Sequence, residues 1–189
     1  MQLNHLLKLI SYGFLNLFII NTAFGQDSND FLLWSATRKI TADDFEIKLK
    51  KFESTASFAQ FTVDYQVSNF DFITKNFNKK VRNYLIKSAS WIDTTTTLQQ
   101  SLTYQQTLFD ICEIYTRQFR KALKDNRKKI VNGTQIVVEL NNLIMAEFAK
   151  RRIDYDIDTK FANDEIKQRE WEIQIQKELL ELNDFSYEK

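Results

Sequence analysis

Apolar and polar residues alternate through the segment around Phe61. Phe61, Val63, Tyr65 and Val67 fall on one side, with Gln60, Thr62, Asp64, Gln66 and Ser68 on the other. A period of two predicts a half-buried strand. Further on, Leu98, Leu102, Phe109, Cys112, Phe119 and Leu123 recur at helical steps, which predicts a long helix to about Lys129 with Thr94 to Thr97 available to cap it. Asn132-Gly133-Thr134 interrupts that pattern. Thr134 can then start a second helix through Val137, Leu140, Ile144 and Phe148, and a third follows from about Asn163 with Trp171, Ile175, Leu179 and Leu182 on one face. Residues 70–92 are ambiguous by pattern, since Phe77, Val81, Leu85 and Ser88 also fit helical spacing. Strands first and helices second is an α+β order.

The first 25 residues read differently. Lys8 supplies a positive charge, Leu9 to Ile20 is a mostly apolar run, and Ala23-Phe24-Gly25 offers small residues where a signal peptidase cuts. The run is interrupted by Ser11 and Asn16 and is shorter than the about 20 residues of a membrane span. The residue immediately after the expected cut is Gln26 and not a cysteine, which argues against a lipid anchor there. The expectation is a signal peptide over 1–25 and one domain over 26–189, periplasmic or secreted, with no membrane span after cleavage.

Composition removes several function classes. The chain has 26 Lys and Arg against 25 Asp and Glu, and Lys8 lies in the leader, so the rest is balanced. Balance argues against a nucleic-acid partner, which needs a basic surplus on one face. Lys79-Lys80 and Arg127-Lys128-Lys129 read as solvated surface. Cys112 is the only cysteine and His5, in the leader, the only histidine. No intrachain disulfide can form, and a thiol nucleophile would lack a histidine to activate it. The spacing of Cys112 from Phe109 and Phe119 fits a buried helix position. Gly133 is the one glycine beyond the leader, so no glycine-rich phosphate loop is available.

Several short segments carry a resemblance. They are Leu33-Trp34-Ser35, Ile40-Thr41-Ala42-Asp43-Asp44-Phe45, Ser90-Trp91, Phe109 to Arg120, and Tyr155-Asp156-Ile157-Asp158-Thr159 followed by Gln168 and Trp171. Together they resemble a family of exported bacterial proteins known as domain of unknown function 922, regarded as zinc-dependent proteases. The resemblance implies a zincin-like arrangement, a sheet beside a metal-carrying helix, and an extended chain from about Val81 to Trp91. It also implies that Tyr104 and Leu108 stand where His-Glu-x-x-His has its histidines, that Gln105 stands at the glutamate, and that Phe161 stands at a third histidine. In the working motif two histidines four residues apart hold zinc and the glutamate is the general base. Leucine has no lone pair, a neutral phenol is a poor zinc ligand, and an amide takes no proton near neutral pH. Tyr104, Leu108 and Phe161 are therefore expected to fill a vacated metal cavity by packing.

These features lead to a non-catalytic, zincin-like binding or scaffold protein, a pseudoenzyme with no cofactor and an unidentified protein or peptide partner in the cell envelope. Two alternatives remain open. A hydrolase with a non-standard site would draw on Asp110, Glu113 and Asp156, since paired carboxylates can hydrolyse glycosides. An oxygen-ligand calcium site would use Asp154, Asp156, Asp158 and Glu165, spaced as positions one, three, five and twelve of a calcium loop, although Thr159 stands where that loop needs glycine. Asn132-Gly133-Thr134 matches a glycosylation acceptor but reads as an interhelical turn.

Overall fold

The computed structural model describes residues 29–49, 56–66, 77–95 and 97–189. The expected signal peptide, and Val67 and Ser68 of the predicted strand, lie outside them. Four strands precede three helices: β1 (Phe31–Leu33), β2 (Ile47–Leu49), β3 (Ser57–Tyr65), β4 (Val81–Asp93), α1 (Leu98–Ile130), α2 (Gln135–Asp158) and α3 (Glu165–Glu181). The chain is α+β, a small mixed sheet followed by helices. β4 is its hub: β3 and β1 pair with it antiparallel and β2 pairs with it parallel. Because β3 occupies one edge of β4 from Val81 to Ile92, β1 and β2 must share the other edge in tandem.

A bulge explains why β4 is hard to read. While β3 advances from Phe58 to Gln60, its partners on β4 run from Trp91 to Ile86. Ser90 bridges the gap, accepting from the Gln60 amide at 3.0 Å and donating to the Ile86 carbonyl at 2.6 Å. Extra residues in a bulge shift the side-chain phase. Buried positions accordingly fall at Val81, Asn83 and Leu85, then at Ser90 and Ile92, passing from odd to even numbers before the strand ends on the buried Asp93.

α1 is the centre of the molecule. β3 and β4 pack on it, as do α2 and α3. Every residue from Thr107 to Arg117 is buried, so no side of this stretch faces water. Thr97 holds the N-cap position with φ 46° and its side chain makes no cap bond, so the capping expected of this threonine run is positional only. The turn at Asn132-Gly133-Thr134 is present, and α2 continues ten residues beyond Phe148. Asp164 caps the start of α3, its carboxylate accepting from the Lys167 amide at 3.2 Å. No helix among the described residues is long and apolar enough to cross a membrane.

Between α2 and α3 the backbone makes a left-handed turn at Lys160, Phe161 and Ala162, with φ of 50°, 54° and 76°. Each such non-glycine residue costs about 1–2 kcal/mol. The turn is held from both sides. Gln100 of α1 donates to the Ala162 carbonyl, the Phe161 amide reaches Asp156 O at 2.9 Å, and Asn163 Nδ2 reaches Lys160 O at 2.9 Å.

Candidate functional site

Tyr104, Gln105 and Leu108 occupy consecutive turns of α1, and the structure buries all three. Leu108 is fully enclosed, which a leucine between sheet and helices achieves by hydrophobic burial alone. Tyr104 stacks on Tyr155 with ring centroids 5.0 Å apart and donates its hydroxyl to Asp156. Burial, and then the bond to Asp156, push the Tyr104 phenol above its ordinary range, so it stays protonated. Gln105 donates through Nε2 to Ser57 Oγ at 3.0 Å, while its Oε1 is buried with no hydrogen-bond partner.

Phe161 departs from the expectation. It is 56% exposed and does not fill a cavity with Tyr104 and Leu108. The cause is the left-handed turn, which brings Ala162 inward against Gln100 and turns the Phe161 side chain out. Ala162 is the buried residue of that turn.

The carboxylates of α1 have structural partners. Asp110 accepts from Trp34 Nε1 and from Gln106 Nε2, each at 2.8 Å, and from Gln176 Nε2 at 3.3 Å, with Lys39 Nζ at 3.8 Å. Desolvation raises the Asp110 pKa, against the pull of Lys39, Trp34 and Gln106. Glu113 Oε1 takes Arg117 Nε at 3.0 Å and Arg120 NH1 at 2.8 Å. Those arginines reach onward: Arg117 to Leu179 O at 2.7 Å, and Arg120 to Val81 O at 2.7 Å and Phe185 O at 2.8 Å. The network ties β4, α3 and the C-terminal segment to α1. Asp110 and Glu113, two of the three acids named for the hydrolase alternative, are both buried.

Asp154, Asp156 and Asp158 do not form a calcium loop. They lie within α2, where residues two apart point about 200° apart around the axis. Their partners diverge accordingly. Asp156 takes Tyr104 and lies 4.0 Å from Arg152 Nε, whereas Asp158 accepts from Trp171 Nε1 at 3.2 Å. Asp154 lines a recess of about 240 Å³ with Tyr115, Glu147, Lys150, Arg151 and Trp171. Glu165 opens α3, and among the described residues no group of three or more His, Cys, Asp or Glu side chains is placed to hold a metal.

No family model, curated protein or solved structure matches the chain. Cys112 is buried as expected, and burial pushes its thiol up, away from the nucleophilic thiolate. Tyr155 donates to Gln168 Oε1 at 2.6 Å, and Gln168 Nε2 donates to Thr107 Oγ1 at 3.0 Å and Glu172 Oε1 at 2.8 Å. This relay joins all three helices. Tyr155 and Gln168, like Trp34, belong to the resembling segments, yet only the fold reveals their bracing roles. The sequence signal for such bracing is the set of polar residues interleaved with the apolar positions of α1, namely Gln105, Thr107, Asp110, Glu113, Thr116, Arg117 and Arg120.

Proposed function

We propose that this chain is an exported, non-catalytic relative of zinc-dependent proteases, working in the periplasm or outside the cell as a binding or scaffold protein for a protein or peptide of the envelope. One observation supports this reading above the rest. The three helix positions that the resemblance assigns to zinc and its base are engaged in the interior: Leu108 in dry packing, Tyr104 in a bond to Asp156, Gln105 in a bond to Ser57. A zincin-like sheet beside the helix is part of the same proposal. The burial and pairing of Asp110 and Glu113 favour it over carboxylate hydrolysis.

Elemental analysis of the purified protein, run with a protease assay, tests it. The expected outcome is no stoichiometric zinc and no chelator-sensitive cleavage. One tightly held zinc per chain with such cleavage would sink the proposal. Installing Tyr104→His, Gln105→Glu and Leu108→His should create a weak two-histidine zinc site on one helix face. Adding Phe161→His should not tighten it, because that side chain faces solvent.

A further inference from the structure

Ile166, Ile173 and Leu180 are 66%, 74% and 74% exposed. Single exposed apolar residues are ordinary. These three, however, recur every seven residues on one helix and drift only about 20° per step around it. They lie opposite the face that α3 buries, which carries Gln168, Ile175 and Leu179 and packs on α1. Charged residues line the stripe: Glu170 and Lys177 sit about 40° to one side of it, and Lys167 and Glu181 about 100° to the same side.

We propose that α3 is a homodimerisation helix, pairing antiparallel with α3 of a second copy of this chain about a two-fold axis at Ile173. A two-fold contact must be self-complementary, because the same patch meets itself. This stripe is. Inverting the helix about Ile173 brings Ile166 opposite Leu180 of the second copy and Ile173 opposite its own copy. The same operation keeps a flank on the same side, so Glu170 comes level with Lys177 of the second copy to within about 1.5 Å along the axis. Lys167 likewise meets Glu181. Both pairs are of opposite charge, and each is generated twice. A parallel pairing instead sets the Glu170 flank against Arg169 and Lys177 against Gln176, with half as many attractive pairs. Lys167 and Glu170 now pair within the chain at 2.8 Å, and Lys177 with Glu181 at 3.9 Å. Such exposed pairs exchange partners at little cost.

The apolar layers extend over about 21 Å of helix, and a contact of that length buries less than the about 1,600 Å² of a standard interface. The dimer is accordingly a weak one, with a dissociation constant on the order of 10–100 μM. Sedimentation velocity of the full chain across that concentration range is the measurement. Ile173→Glu, which sets two carboxylates against each other on the axis, should weaken association at least about tenfold while leaving thermal unfolding unchanged, since the residue is exposed. Association through any other segment would not respond. Glu170→Lys alone should weaken the dimer, and adding Lys177→Glu should restore it. Mixing Ile166→Cys chains with Leu180→Cys chains should give a heterodimeric disulfide on oxidation. A chain that stays monomeric throughout, association that ignores Ile173→Glu, or disulfides formed by Ile166→Cys chains alone would each overturn the proposal.

Discussion

The two halves of α1 treat buried polarity in opposite ways. From Asp110 to Arg120 it encloses two acids and two arginines, and each has partners on other elements or on its own helix. From Tyr104 to Leu108 it encloses no charge, a leucine packs dry, and one amide oxygen of Gln105 is left without a partner. Complete satisfaction marks a structural brace, since an unpaired buried group costs about 1–3 kcal/mol and is not retained casually. The one orphan of α1 is Gln105 Oε1, and the function proposed above gives that residue the place of a zinc protease's base.

Breaking the braced half should cost most. Arg120→Met leaves Glu113 with one cation and strips donors from Val81 O and Phe185 O, so denaturant unfolding should show a loss of about 3–5 kcal/mol. Near-wild-type stability would mean that the network is ornamental. Leu108→Ala comes next, at about 2–5 kcal/mol for a cavity left between sheet and helices. Should both Leu108→Ala and Leu108→Lys unfold at the wild-type midpoint, Leu108 would have to lie on the surface.

The pH dependence sharpens the contrast. The Asp110 pKa is raised in the folded protein above the ordinary 3.8. Below that value both states hold the proton. As pH rises the unfolded chain releases it first, so Asp110 withdraws stability until pH passes its folded pKa, by about 1.4 kcal/mol for every tenfold gain in proton affinity on folding. Unfolding measured from acid to neutral pH should show this fall in wild type relative to Asp110→Asn. Parallel curves would dismiss the raised pKa. The smallest effect belongs to the half from Tyr104 to Leu108. Gln105→Met removes an orphan together with one bond to Ser57, and should change stability by less than about 1 kcal/mol. A loss comparable to that of Arg120→Met would erase the distinction between the halves.

Much of the fold is legible in the residues. The alternation around Phe61 gives β3, and the helical spacing gives α1 nearly to its end. β4 is not legible by period, because its bulge flips the buried phase between Leu85 and Ser90; only the resemblance points to an extended chain there. β1 and β2, three residues each, are too short to show any period. Around the site, the burial of Tyr104 and Leu108 agrees with the packing expected of them from the resemblance, whereas the outward turn of Phe161 does not. Left-handed backbone is signalled by glycine, and Lys160-Phe161-Ala162 contains none. The acids from Asp154 to Asp158 mislead for a related reason, since a calcium-loop spacing carries no information about whether the segment stays helical.

The enclosure of α1 also governs how the molecule breathes. A helix covered by the sheet on one side and by two helices on another exposes its amides only when those layers separate. Amide protons from Thr107 to Arg117 therefore exchange with solvent only through global unfolding, and they report the stability of the whole domain. Those of α3, attached along a single face, exchange earlier through local opening.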